Sequence, residues 1–280
     1  MMTLGQAALL GLLQGATELF PISSLGHSVL LPQVLGWQID QGSDAFLTFL
    51  VATHLATALV LFGFFWKDWM RIIVGVLRSL KDRHVSADDI YTKIGWLLIV
   101  GTIPAGILGL SFEHALKQLF AAASVVAGAL ILNGVVLYAA ESLRARAPEG
   151  LADDKKIANL SWRQAIFVGI MQCGALIPGL SRTGLTMTGG LLSGLSHENA
   201  ARFSFLLATP IIFAASMLKT PHLIVDGGQD LQPALVGALC AAVTAYLSVK
   251  FLLKYFETKT LKPFAIYCII TGVVSLLVVH

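Results

Sequence analysis

Glu18 is the one charged residue between residues 1 and 39, and Arg182 is the one Asp, Glu, Lys or Arg between residues 164 and 197. A charge at helix-centre depth in hydrocarbon costs about 2.5–3.5 kcal/mol or more, so each needs a partner or a task. Around Glu18 lie Gln14, Ser23, Ser24 and His27. Gln14 and Glu18 are four apart and share a face if the segment is helical. Around Arg182 lie Ser181, Thr183 and Thr186, flanked by Gly179 and Gly184. Glycines let a backbone approach a ligand, N–H groups opening a helix favour an anion, and a guanidinium matches phosphate oxygens in a planar fork. The second set reads as an oxyanion cradle and the first as an acid/base group beside it. Together they describe phosphoryl chemistry or phosphate binding. The plainer reading is that Glu18 and Arg182 neutralise each other, which leaves His27, the hydroxyls and the glycines without a purpose.

The elements that position these residues belong to a membrane. The chain has 280 residues, 56% hydrophobic and 12% charged, with net charge +3. Soluble domains carry about 25% charged residues, and the mean hydropathy is +0.78. These values exclude a nucleic-acid binder, a secreted disulfide scaffold and a disordered regulator. Cys173, Cys240 and Cys268 sit in apolar runs without metal-site spacing and read as packing residues. No cleavable leader is expected, since the first basic residue is Lys67.

Six charge-poor runs are long enough to read as spans: 45–66, 94–112, 118–140, 203–218, 231–249 and 263–279. Two further apolar stretches are broken near their middles, by Pro21-Ile-Ser-Ser-Leu-Gly26 and by Pro178-Gly-Leu-Ser181. The halves resemble each other. Gln14 through Ser24 parallels Gln172 through Arg182, and Ala45-Phe-Leu-Thr-Phe-Leu-Val-Ala-Thr53 parallels Ala201-Arg-Phe-Ser-Phe-Leu-Leu-Ala-Thr209 at an offset of 156. Leu116-Lys117 matches Leu261-Lys262, each ahead of an apolar run. The expected fold is an all-α integral membrane protein of two inverted repeats, residues 1–146 and 160–280. Each repeat holds one re-entrant helix hairpin and three transmembrane helices, giving six full spans and two hairpins.

Basic residues set the orientation. One face receives loops 67–93, 141–163 and 250–262 with fifteen Lys and Arg, and the other receives Lys117 and Lys219. The rich face is cytoplasmic by the positive-inside rule, so both termini lie outside. Re-entrant hairpins bring Glu18 and Arg182 together near the midplane, whereas full helix pairs would leave them about 30 Å apart. After Trp66, apolar Trp69, Ile72, Ile73, Val76, Leu77 and Leu80 oppose Lys67, Arg71 and Arg78, the pattern of an interfacial helix on anionic lipid. Residues 147–159 read as a linker between the repeats. Small residues in the spans permit homodimer packing.

From Gly11 to Tyr267 the chain resembles the undecaprenyl-pyrophosphate phosphatase family, the bacitracin-resistance membrane phosphatases. Gln14-Gly-Ala-Thr-Glu18-Leu-Phe-Pro-Ile-Ser-Ser-Leu-Gly-His27 is similar to the family's first motif, and Pro178-Gly-Leu-Ser-Arg-Thr-Gly-Leu-Thr186 to its second. Gln14 stands where many members have Glu, and Thr183 where they have Ser. The resemblance implies hydrolysis of undecaprenyl diphosphate to the monophosphate and inorganic phosphate. That reaction recycles the lipid carrier of cell-wall synthesis in the bacterial inner membrane. It also implies dependence on Mg²⁺ or Ca²⁺ and a site opening toward the outer face.

On this reading Arg182 and Ser181, with N–H groups near Gly179 and Thr183, hold the diphosphate. Glu18 is general base or metal ligand and activates Ser24, beside Ser23, or a water. His27 protonates the leaving phosphate or itself attacks phosphorus. Gln14 orients Glu18, the metal or its water, and Thr186 supports the cradle. Partners are a prenyl diphosphate and membrane lipids, with no nucleic acid. The competing function is a lipid-phosphate transporter or flippase using the same midplane site. His54 reads as a structural histidine, with Pro210 at the matching position, and His114 and His197 as span-end residues. Glu113-His114 lacks a further ligand at metal-site spacing. Thr48, Thr53, Ser204 and Thr209 read as cavity-lining or helix-packing groups.

Overall fold

The computed structural model describes residues 2–86, 88–112, 122–144, 153–226 and 231–278. Among them the fold is all helix, with no strand. In chain order the helices are α1 (Leu4–Leu19), α2 (Ser24–Val34), α3 (Asp44–Phe64), α4 (Trp66–Asp82), α5 (Ile90–Ser111) and α6 (Ala123–Leu143). They continue with α7 (Asp154–Ala158), α8 (Trp162–Cys173), α9 (Arg182–Leu192), α10 (His197–Asp226), α11 (Leu231–Tyr255) and α12 (Lys262–Val278). Glu113, His114 and the Leu116-Lys117 pair lie outside the described residues.

Five of these helices, α3, α5, α6, α10 and α11, are long and apolar enough to cross a membrane. The sixth expected span corresponds to α12, apolar and 17 residues long as described. The outer surface is apolar: Leu59, Leu132, Leu239 and Val243 are exposed, while Gln14, Thr57, Asn133 and Ser204 are fully buried. Such polar-inside, apolar-outside packing suits a protein solvated by lipid. At 11, 12 and 11 residues, α2, α8 and α9 rise only about 16–18 Å, well short of the roughly 30 Å hydrocarbon thickness.

Side-chain caps start the helices that frame the site. Thr3 and Gln6 form a capping box on α1, as Ser161 and Gln164 do on α8. Ser43 caps α3 through the Phe46 N–H. The two short helices α2 and α9 begin at Ser23 and Ser181, whose hydroxyls accept from the Gly26 and Gly184 N–H groups.

Packing between the halves is reciprocal. α1 lies against α11, and α8 against α5; α3 meets α10, and α6 meets α12. Glycines allow these approaches. A Cβ on Gly11 would sit 2.3 Å from the Gly237 carbonyl oxygen, and one on Gly169 would sit 2.4 Å from that of Gly101. Between α6 and α12, Gly134 faces Ala265 while Gly272 faces Ala127, each helix offering its glycine to the other's alanine.

The basic loops gather at one end. Arg202, at the start of α10, pairs with Asp68 of α4 at 2.8 Å and with Asp154 of α7 at 2.9 Å. At the same end Glu141, in the last turn of α6, binds His197 at 2.8 Å and accepts from the Leu261 N–H at the start of α12. The expected interfacial helix is α4. It turns Trp69 and Ile72 toward α5 and leaves Ile73, Val74, Leu77 and Leu80 exposed beside Arg71 and Arg78. The 147–159 linker is only partly a linker, because Asp154–Ala158 is a short helix whose Ile157 and Ala158 are buried.

These glycine contacts carry a prediction. Gly11→Val or Gly169→Val should lower the melting temperature in detergent, at an overpacking cost of about 1–3 kcal/mol. Gly128→Ala, with nothing within 4 Å of an added Cβ, should leave it unchanged. Fluorescence-monitored unfolding reads both.

Candidate active site

The first hairpin turns at Phe20–Ser23 and the second at Ile177–Ser181. Ser23 has φ +68°, in the left-handed region that a non-glycine residue adopts only when its surroundings compel it. Gly179 has φ +103°, and a Cβ there would meet the Val126 carbonyl oxygen at 2.3 Å. Glycine is required at that position on both counts.

The two turns touch through hydrogen bonds that cross between the repeats. Arg182 Nη2 donates to Glu18 Oε1 at 2.8 Å. Thr183 Oγ1 donates to the Glu18 backbone carbonyl at 3.0 Å, and Ser181 Oγ lies 3.4 Å from the Phe20 carbonyl. Asn133 of α6 bridges them: its Nδ2 donates to the Pro21 carbonyl at 3.0 Å, and its Oδ1 accepts from the Ser181 N–H at 3.0 Å.

Glu18 is the hub. Its Oε2 accepts a short hydrogen bond from Ser24 Oγ, and Gln14 Nε2 approaches the same oxygen at 3.5 Å. His54 Nε2 stands 3.2 Å from Oε2. The other ring nitrogen of His54, Nδ1, is 2.7 Å from the Leu50 carbonyl. A carbonyl and a carboxylate can only accept, so Nδ1 donates to Leu50 and Nε2 donates to Glu18. Gln14 is held in turn by Thr57, whose hydroxyl donates to its Oε1 at 3.2 Å.

His27 is engaged elsewhere. Its Nδ1 lies 2.7 Å from the Ser23 carbonyl and its Nε2 lies 2.8 Å from the Tyr267 hydroxyl of α12, with the two rings stacked. Both nitrogens are occupied behind the Ser23 turn. Thr186 bonds back to the Arg182 carbonyl at 2.8 Å and also pairs with Ser204 of α10.

A cavity of about 970 Å³ opens beside this network. Glu18, Ser23, Ser24, Ser181, Arg182 and His54 form its polar end. Leu47, Val51, Ala105, Leu110, Ile212 and Leu218 supply apolar wall, and Asp44 and Lys219 also border it. Gln14, His27, Gly179, Thr183 and Thr186 stand behind the wall, where they hold the residues that face it. Among the described residues Arg182 Nη1, itself buried, has no hydrogen-bond acceptor.

Among the described residues no three His, Cys, Asp or Glu side chains are grouped for a metal ion. Mg²⁺ is commonly held by one or two carboxylates together with substrate phosphate oxygens. Glu18 on the cavity wall fits that donor set. Gln14, fully buried with its Oε1 bonded to Thr57, reaches such an ion only through Glu18.

The structure thus brings the two expected residue sets into one place, and adds four residues that sequence reasoning did not put there. His54 was placed as structural. Its position three residues before Thr57, on the helix face that bears Gln14's partner, was the available sign. Asn133, Thr57 and Tyr267 carry no motif, and only the packing of α6, α3 and α12 on the hairpins reveals them.

A family model described as Bacitracin resistance protein BacA matches residues 7–274. The undecaprenyl-diphosphatase of Mycolicibacterium paratuberculosis is 44% identical, over 97% of this chain and 95% of its own. Undecaprenyl-diphosphatase 2 of Burkholderia ambifaria is 47% identical, again over 97% and 95%. The undecaprenyl-diphosphatase of Granulibacter bethesdensis is 43% identical, over 98% and 96%. Both signature segments and every helix, apart from the first residues of α1 and the last of α12, fall inside the matched range, and the chain belongs to the BacA bacitracin resistance family.

Proposed function

We propose that the protein hydrolyses undecaprenyl diphosphate to undecaprenyl phosphate and inorganic phosphate, recycling the lipid carrier for cell-wall synthesis and thereby conferring bacitracin resistance. One observation carries this reading: a buried carboxylate, Glu18, joined to a serine hydroxyl and to a guanidinium on the wall of a cavity that is otherwise largely apolar. Anion binding or transport alone has no use for a carboxylate bonded to the serine beside the anion site.

In the reaction, Arg182 Nη1 and the Ser181 hydroxyl hold the diphosphate, and the apolar walls take the prenyl chain. Ser24 Oγ attacks the terminal phosphorus while Glu18 takes its proton. The bridging P–O bond breaks, and Glu18 returns the proton to the leaving prenyl phosphate. A water, deprotonated by the same carboxylate, then attacks that phosphorus; the Ser24 Oγ–P bond breaks, inorganic phosphate leaves, and Glu18 returns the proton to Ser24 Oγ. Nη2 of Arg182 keeps Glu18 oriented, and His54 holds the other carboxylate oxygen. His27 is a positioning residue that fixes the Ser23–Ser24 turn against Tyr267. A divalent cation, held by Glu18 and the substrate's own oxygens, would neutralise charge on the diphosphate.

The membrane arrangement follows as part of the same proposal. Two inverted repeats each contribute one re-entrant hairpin, α1–α2 and α8–α9. The reciprocal helix contacts and the short rise of α2, α8 and α9 support this. The cavity is bordered by the start of α3, the last turns of α5 and the α10 segment that reaches Lys219. Those ends lie opposite the end that carries most of the basic residues, which supports entry from the outer face of the bacterial inner membrane with both termini on that side.

The test is phosphate release from undecaprenyl diphosphate by purified protein in detergent. Ser24→Ala should cut turnover by about 10²-fold or more with folding and insertion retained; Arg182→Ala should cut it at least as far and also lower the melting temperature, because Glu18 then lies buried without its partner. Near-wild-type turnover by Ser24→Ala would transfer the nucleophile to water. Chelation should suppress release, and added Mg²⁺ or Ca²⁺ should restore it. Asn133→Ala leaves the Pro21 carbonyl and the Ser181 N–H unpaired and buried, at about 1–3 kcal/mol. It should therefore lower both the melting temperature and kcat, whereas Asn133→Asp, which keeps the acceptor for Ser181, should retain more of each.

A further inference from the structure

Gln172 occupies the last turn of α8, is 2% exposed and lines the cavity. Among the described residues neither its Oε1 nor its Nε2 has a hydrogen-bond partner. A buried amide without bonds destabilises the fold that contains it, and an apolar side chain of similar size would not.

Comparison with the first repeat shows how the amide came to be unpaired. The offset that carries Ser23 to Ser181 also carries Gln14 to Gln172 and Glu18 to Leu176. Gln14 is satisfied by Thr57 and Glu18. The position matching Thr57, by the offset that relates Thr53 to Thr209, is Phe213. In the second half the positions that match both polar partners of Gln14 are thus apolar, and Gln172 borders the cavity where Gln14 does not.

A second group on the same cavity is in the same condition. Arg182 commits Nη2 to Glu18, while its Nη1 has no acceptor. Two buried donors without partners among the described residues, an amide and half of a guanidinium, belong to residues that border one cavity, and together they match a ligand rich in acceptor oxygens.

We infer that Gln172 is a binding residue for the diphosphate head, donating from Nε2 to phosphate oxygens alongside Arg182 Nη1. This rests on the phosphatase reading above. The amide is neutral and far from the Ser24–Glu18 bond in the network, so it contributes to binding the substrate and the transition state alike. Its loss appears in KM more than in kcat.

The experiment compares wild type with Gln172→Leu, Gln172→Met and Gln172→Glu in the phosphate-release assay, each with a melting temperature in detergent. The Leu and Met variants should raise KM by about tenfold, the effect of one hydrogen bond to a charged group. Their kcat should stay within about threefold, and their melting temperatures should equal or exceed wild type. Gln172→Glu, setting a carboxylate against the diphosphate, should raise KM further. An unchanged KM in the Leu and Met variants overturns the inference, as does a fall in melting temperature with kcat lost and KM retained, which marks a structural amide. Absence of phosphate release by the wild type would instead overturn the phosphatase reading, and this inference with it.

Discussion

Glu18 and Arg182 come from opposite halves of the chain, and neither could lie buried alone. An unpaired carboxylate or guanidinium in a low-dielectric interior carries a desolvation penalty of several kcal/mol, which a well-made pair roughly offsets. Their 2.8 Å contact therefore makes the meeting of the two hairpin tips a condition of folding and not only of activity. Around the pair, Thr183, Ser181 and Asn133 satisfy the carbonyls and N–H groups that two broken helices leave exposed in the interior. The polar network at the centre is thus what permits irregular backbone there.

Much of this was legible in the sequence because hydrocarbon makes polar residues conspicuous. Glu18 and Arg182 stand out by isolation, and Pro21 and Pro178 mark the breaks beside them. The five helices long and apolar enough to cross a membrane fall on runs that the distribution of charge marks out, with boundaries shifted where a helix runs past its apolar stretch, as α10 does from His197. What sequence could not supply is contact between elements distant in the chain. His54 looked like any mid-span histidine until α3 packed on α1 and set its ring beside Glu18. Asn133 and Tyr267 are single polar residues in apolar helices, a pattern that also fits ordinary helix packing. The ring partners of His27, the Ser23 carbonyl and the Tyr267 hydroxyl, are likewise visible only in the packed structure.

The glycine seams explain how so polar a centre is kept in shape. Where α1 meets α11 and α8 meets α5, backbone rests on backbone, so neighbouring helices have little side-chain slack through which to slide. Lipid gives no hydrophobic drive to helix association, and close van der Waals contact between small residues replaces it. The ion pairs that tie α4, α7 and α10 together, and those that tie α6, α10 and the start of α12, secure the end away from the cavity. The cavity end carries the exposed polar rim.

The unequal hairpins have a consequence for stoichiometry. A pair of identical halves would present each functional group twice. Here Ser24 in one half corresponds to Arg182 in the other, and Glu18 corresponds to Leu176. The polar cluster between the hairpin tips therefore holds one carboxylate and one guanidinium, each supplied by a different half of the chain.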